Sequence, residues 1–266
     1  MSSVLASPYT LESIVNSSFE ALATQGQDEQ AEEAPADEPD FWSGWQRSIE
    51  AGLTGSSGNN DTINLRAIVQ TQRETDRLRT MLRGRYLYGK DGGTISQDEA
   101  RLRGENDWKF PGERYFVFSQ VQYDYDRFQD WDTRFQGFAG GGYEFLKERS
   151  LLENGQDRAS LRGRLGFGVN REFGGDDTKW HPEALIGLDF TWAIDDRNTF
   201  SAGTEIFPSL DDLGEFRALN YAHYEVKLSN ARDIRLRLGA EHEYDSEPGT
   251  AEENNINYYV TILMTF

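Results

Sequence analysis

Residues 255–266 read NINYYVTILMTF and alternate between apolar and mostly polar side chains up to the last residue. One face carries Ile256, Tyr258, Val260, Ile262, Met264 and Phe266. The other carries Asn257, Tyr259, Thr261, Leu263 and Thr265. Strict alternation is typical of a β-strand whose two faces meet different surroundings. The stretch therefore predicts a strand with an apolar exterior and a polar interior.

The bulk composition excludes several classes of protein. The chain has 266 residues, with 46 Asp or Glu against 27 Lys or Arg and a net charge of -19. Nucleic-acid binding is not expected, because phosphates need clustered basic residues. No apolar run reaches the length of about 18 residues that a transmembrane helix needs. The sequence has no cysteine, so thiolate metal sites are absent, and no metal or cofactor is expected.

The first 40 residues differ from the rest. They contain no Lys or Arg and are rich in Asp, Glu and Ala. This composition predicts a mostly disordered acidic leader, with a short amphipathic helix near residues 10–23 as the alternative. The opening residues lack the basic and apolar regions of a signal peptide, which leaves open whether one precedes residue 1.

Residues 41–266 contain twelve alternating segments. Most set apolar residues against charged ones, as in RLRTMLRGRYLY (77–88) and IRLRLGAEHEY (234–244). A sandwich needs an apolar inner face, whereas a membrane barrel is apolar outside and polar inside. We therefore predict an all-β fold, a transmembrane antiparallel up-and-down barrel of about 12 strands, located in an outer membrane.

The inward positions of these strands predict a charged lumen. The candidate lumen-lining residues, for a pore or an ion-pair network, are Arg77, Arg79, Arg83, Arg85, Arg101, Arg103, Glu105, Asp107, Arg162, Arg164, Glu183, Asp189, Arg235, Arg237, Glu241 and Glu243. Basic and acidic candidates nearly balance. Two interpretations stay open: cross-strand ion pairs that close the lumen, or an aqueous path between an arginine-rich and an acidic wall.

Aromatic residues often begin or end the apolar faces. Such rings favour the interface between lipid and water. The candidate interface aromatics are Trp45, Trp108, Tyr115, Tyr125, Trp131, Trp180, Trp192, Tyr258 and Phe266.

Connection lengths alternate as well. If the first strand rises from the side of the leader, the connections on that side are short, apart from residues 146–158. The opposite connections, among them GKDGGTISQDE (89–99), are longer and acidic. This asymmetry is typical of outer-membrane barrels.

Three groups of residues resemble the YdiY-like family of uncharacterised, salt-induced outer-membrane β-barrel proteins. They are Gly58, Asn59 and Asn60 after the first strand; Tyr123, Asp126 and Phe128, followed by Arg134 and the run Gly140 to Tyr143; and the terminal Phe266. The likeness covers residues 42–266. It implies an outer-membrane barrel and carries over no catalytic residue.

The function predicted from these features is a narrow, porin-like passage for small or charged solutes. The alternatives are a structural barrel with an ion-paired, occluded lumen and, more remotely, a lipid-modifying enzyme. For an enzyme, His242 falls on the outward side, but no serine is placed beside it and there is no Gly-x-Ser-x-Gly. The expected partners are membrane lipids and lipopolysaccharide, and the barrel-insertion machinery through the C-terminal strand. A homo-oligomer or an envelope protein partner is left open.

Overall fold

A computed structural model describes residues 43–56, 61–149, 157–175, 178–229 and 232–266. The predicted acidic leader and its alternative helix lie outside the described residues. Among the residues that are described, there is no helix with the length and hydropathy of a membrane span.

Twelve β-strands follow one another along the chain. They are β1 (Trp45–Ser56), β2 (Thr62–Glu74), β3 (Leu78–Asp91), β4 (Thr94–Lys109), β5 (Tyr115–Asp126), β6 (Thr133–Arg149), β7 (Asp157–Phe173), β8 (Trp180–Ala193), β9 (Asn198–Pro208), β10 (Phe216–Lys227), β11 (Asp233–Asp245) and β12 (Asn254–Thr265). Each strand pairs with the next, and β12 pairs back with β1, so the sheet is a closed barrel. Each of these pairings is antiparallel. The predicted fold class is confirmed.

The two-residue period sorts side chains between the wall's two faces. On β5, Val117 is 44% exposed and Val121 is 51% exposed, whereas Gln120 between them is 1% exposed. Apolar residues thus lie outside and polar ones inside, the reverse of a soluble core. Closure of the sheet leaves no strand edge, which is the condition for a sheet to lie in hydrocarbon.

One sector of the lumen is apolar, which the alternation had not predicted. Phe116, Phe118, Phe138, Leu185 and Phe207 form a buried cluster on the inward faces of β5, β6, β8 and β9.

Glycines on β6 and β7 make room for the aromatic rings of that cluster. A Cβ at Gly142 would lie 2.2 Å from the Phe116 ring, and one at Gly168 would lie 2.5 Å from the Phe138 ring. These close approaches let the aromatic side chains lie against the wall.

The joint between β1 and β12 is the shortest paired stretch of the barrel. Its register comprises four residue pairs, from Ser48–Thr265 to Ala51–Ile262. These pairs lie at the end of the barrel where both Trp45 and Phe266 are found, which we call the terminal end. The opposite end, with the longer connections, is the loop end.

The β3–β4 connection differs from the prediction of a long acidic loop. Both strands continue to a two-residue turn at Gly92 and Gly93, whose φ angles are +54° and +89°. Positive φ at both positions is what a tight hairpin turn requires, and glycine adopts it without steric cost. Residues 89–99 thus belong mainly to β3 and β4, which form a hairpin around this turn.

Candidate functional site: a charged lumen

Four side chains join opposite parts of the wall, and we call them the girdle: Arg85 on β3, Arg101 on β4, and Glu241 and Glu243 on β11. Arg101 lies 2.9 Å from Glu243, and Arg85 lies 2.5 Å from Glu241 and 3.1 Å from Glu243. Four strands separate β4 from β11 on the shorter way round the barrel. The girdle therefore crosses the lumen instead of running along its wall.

A second set of ion pairs connects β4 with β7 and β9. Arg103 lies 2.5 Å from Glu205, and Arg164 lies 3.2 Å from Glu205 and 3.3 Å from Glu105. Asp107 forms ion pairs with Arg79 at 3.3 Å and with Arg162 at 2.9 Å. Because each carboxylate serves arginines from different strands, these bridges also brace the interior.

Four more of the predicted lumen residues, Glu183, Asp189, Arg235 and Arg237, are paired nearer the wall. Glu183 accepts two hydrogen bonds from Arg217 on β10, at 2.7 and 2.8 Å. Asp189 accepts hydrogen bonds from Arg164 at 2.8 Å and from the Tyr221 hydroxyl at 3.0 Å. Arg235 lies 2.9 Å from Asp233, and Arg237 lies 2.6 Å from Glu225.

Glu50 on β1 belongs to the lumen network but is absent from the predicted set. Its side chain is 1% exposed; it accepts hydrogen bonds from Arg237 and, at 2.9 Å, from the Thr261 hydroxyl. Arg66 lies 3.6 Å away. The available signal was its inward register between the outward Ile49 and Ala51.

Two predicted residues lie elsewhere than expected. Arg77 is exposed in the turn before β3, because that strand begins at Leu78. Trp131 lies in the connection before β6 and is 8% exposed, with the Arg134 guanidinium 4.3 Å from its ring centre. It packs inside the barrel mouth and is therefore not an aromatic of the lipid interface.

The other interface aromatics lie near the two ends of the outer wall. Trp108, Tyr115, Trp192 and Phe266 are exposed towards the terminal end, and Tyr125, Trp180 and Tyr258 towards the loop end. Trp45 begins β1 at the terminal end and is half-buried. Ten residue steps separate Tyr115 from Tyr125, which in a tilted strand is a height of about 25 Å. That height matches the apolar band of a membrane barrel.

Within the described part of the chain, two cavities that share lining residues lie in the lumen. The larger, which we call the vestibule, has a volume of about 530 Å³ and reaches Glu74, Lys109 and Lys147 at the terminal end. The smaller, of about 70 Å³, lies towards the loop end. Arg85, Arg101, Leu219 and Glu243 line both cavities. The girdle therefore marks the boundary between the two spaces.

A contact between two connections crosses the mouth at the loop end. Thr250, between β11 and β12, donates a backbone hydrogen bond of 2.7 Å to Asp130, between β5 and β6. Its hydroxyl also donates to that carboxylate. These hydrogen bonds lower the pKa of Asp130 below its ordinary value. Gly249, with φ +63°, lies against the same carboxylate, since a Cβ placed there would be 2.1 Å from Asp130 Oδ2.

A polar row lies on the outward face near the loop end. Thr204 donates to the Asn220 side chain at 2.7 Å, and Asn220 Nδ2 lies 3.2 Å from His242 Nδ1. His242 Nε2 lies 2.9 Å from Asn254. The histidine is thus held between two amides, with no hydroxyl hydrogen-bonded to it within this row. Within the described ranges, no three His, Cys, Asp or Glu side chains are grouped to hold a metal ion.

A known protein family matches most of the chain. Residues 49–266 match the family described as "Protein of unknown function, DUF481". The chain belongs to this family. Of the residues that carry the resemblance to the YdiY-like family, Gly58, Asn59 and Asn60 lie outside the described residues.

Similarity to curated proteins and to solved structures adds little. No curated protein matches the chain. The translocator domain of the autotransporter NalP from Neisseria meningitidis has 11% identity and a TM-score of 0.47, covering 96% of this chain and 94% of that one. An outer membrane channel from Pseudomonas putida F1 has 12% identity and a TM-score of 0.47, covering 88% of this chain and 100% of that one. Values this low carry no information about what this chain binds or transports.

Proposed function

We propose that this chain is an integral outer-membrane barrel whose lumen is a narrow passage for small or charged solutes. The apolar exterior and its two aromatic ends support membrane insertion, since such a surface would be costly to expose to water. The terminal end would then face the periplasm. Lipids and lipopolysaccharide would contact the outer wall, and the alternating last strand would serve the insertion machinery.

The observation that carries the passage is the arrangement of the two cavities on either side of the girdle. Both cavities reach three girdle residues, Arg85, Arg101 and Glu243, together with Leu219, so a layer of mainly charged side chains separates the two spaces. Ion pairs between mobile arginine and glutamate side chains can exchange partners, whereas a wall of packed backbone cannot. A passage of this kind would have low conductance and would select its solutes by charge.

A structural barrel with an occluded lumen is the second candidate. The aromatic cluster around Phe118 fills one sector of the interior, and several bridges brace the rest. Ion pairs of this density favour a rigid barrel that supports the envelope, alone or as a homo-oligomer or with an envelope protein. The salt-induced expression that the YdiY-like resemblance implies would suit either candidate.

We also propose that the chain is not an enzyme. The hydrogen bonding of His242 to two amides supports this, because a catalytic base would face a hydroxyl nucleophile.

Single-channel recording tests the passage. The refolded full chain would be inserted into planar bilayers and recorded at two salt concentrations, with insertion verified by protease protection. Small, discrete openings with a charge preference are expected. Silence from barrels that are demonstrably inserted would reject the passage and favour the structural barrel.

A further inference from the structure

Arg83 differs from the other arginines that line the vestibule. All six of the others have a carboxylate within 3.3 Å: Arg79, Arg85, Arg101, Arg103, Arg162 and Arg164. Among the residues that the structure describes, none places a carboxylate within 4.0 Å of the Arg83 guanidinium. Arg83 nevertheless points inward and lines the cavity.

Glu241, the carboxylate whose charge acts most strongly on Arg83, already has other partners. Glu241 accepts hydrogen bonds from Arg66 at 2.5 and 3.0 Å, and from Arg85 at 2.5 Å. Arg83 is also directly opposite Arg103 in the β3–β4 register. Like charges in opposed positions repel, so this pair favours a counter-ion between or beside them.

The charge of the vestibule as a whole points the same way. Nine Arg or Lys and seven Asp or Glu side chains line it, which is a surplus of two positive charges. A cation in a confined, partly desolvated space is costly unless it has a partner. The volume of about 530 Å³ is within the range of small-molecule binding sites.

We propose that the vestibule binds a small oxyanion, a carboxylate or a phosphate, through the Arg83 guanidinium. The planar fork of arginine matches two oxygens of either group, and charge-assisted hydrogen bonds of this kind are strong. The ligand enters from the terminal end, past Glu74 and Lys109. Binding therefore does not require the girdle to open and is independent of the proposed passage.

The test is titration calorimetry on the refolded full chain in a non-ionic detergent and a low-chloride buffer. Inorganic phosphate and succinate are the two probes. The variants are Arg83→Gln, which removes the charge inside the vestibule, and Arg77→Gln, which removes the same charge from an exposed turn. Folding of each is checked by the heat-dependent mobility of the barrel on a gel.

The expected result is saturable binding of at least one probe that weakens at least tenfold in Arg83→Gln and stays unchanged in Arg77→Gln. The probe that binds identifies the oxyanion class. Arg83→Lys keeps the charge but loses the fork, so an intermediate affinity is expected, and this variant replaces Arg83→Gln if that one does not fold. Absence of binding to the folded wild-type chain overturns the proposal, as does an equal loss in Arg77→Gln. If the inserted barrel shows no channel openings in bilayers but still binds the oxyanion, only the proposed passage is rejected.

Discussion

Arg101 on β4 and Glu243 on β11 meet across the lumen, although 142 residues separate them along the chain. Their side chains approach to 2.9 Å, and Glu243 also receives Arg85 at 3.1 Å. Each arginine has a second carboxylate, Asp124 for Arg101 and Glu241 for Arg85. Glu243 is thus the link that can be removed while both arginines stay paired.

Glu243→Gln should raise the conductance of the barrel without unfolding it. Loss of the carboxylate weakens the cross-lumen link. Because one negative charge is removed from the lumen, selectivity should shift towards anions. The measurement is single-channel conductance and reversal potential under a salt gradient. Glu113→Gln, in an exposed turn, is the matched control and should behave as wild type. Unchanged conductance and selectivity in a folded Glu243→Gln barrel would contradict the role of the girdle.

Glu50→Gln should destabilise the barrel by about 1–3 kcal/mol, because a neutral amide replaces a fully buried, charged acceptor, although Arg237 keeps Glu225 and Arg66 keeps Glu241 as partners. Arg237 and Arg66 both lie near this carboxylate. Glu74→Gln is the comparison: Glu74 also pairs with a cation, Lys109, but its side chain is 52% exposed, and a loss below about 1 kcal/mol is expected. Urea unfolding in lipid vesicles, followed by tryptophan fluorescence, measures both. Equal losses would show that burial of the pair is unimportant.

Gly142→Ala should destabilise the barrel by about 1–3 kcal/mol, since the new methyl group would overlap the buried Phe116 ring. Gly84→Ala is the control, because nothing lies within 4 Å of a Cβ placed there. Adding Phe116→Leu to Gly142→Ala should recover part of the loss. The same urea unfolding experiment applies. If both alanine variants lose equal stability, the effect belongs to glycine in strands generally and not to this contact.

The contact between Asp130 and Thr250 should be lost in acid. The pKa of Asp130 is lowered in the folded chain, so the contact is fully present above the ordinary pKa of about 3.9 and disappears as the pH falls through the lowered value. The backbone amide resonance of Thr250, followed by NMR from pH 6 to pH 2, should titrate with a midpoint below about 3.9. Asp130→Asn should abolish that titration. A midpoint at or above the ordinary value would mean that the carboxylate gains nothing from Thr250.

The strand number and the two faces of the wall could be predicted because alternation is a local property. Each residue's side is fixed by its neighbours within the same strand. The apolar cluster around Phe116 and Phe118 could not be predicted in this way, because both faces of β5 carry aromatic side chains. The informative signal lay on the neighbouring strands, where glycines occupy inward positions of β6 and β7.

The partners across the lumen could not be predicted. Alternation states that Arg101 and Glu243 both point inward, but their relative height depends on the stagger of all twelve strands. The β3–β4 hairpin was missed for a different reason. Its polar residues suggested a loop, whereas the pair Gly92 and Gly93 is a strong local signal for a tight turn.

The short joint between β1 and β12 has a consequence for folding kinetics. Ser48 and Thr265 lie near the two ends of the barrel sequence, so their pairing closes the largest loop among the strand pairings. This costly loop closure is stabilised by only four residue pairs. Pairings of such high contact order form slowly, and this one should be the last to form. Gly52, whose Cβ would lie 2.6 Å from the Val260 carbonyl, sits beside the joint. Gly52→Ala should therefore slow the appearance of the compact, heat-modifiable form during refolding, while Gly84→Ala should leave that rate unchanged.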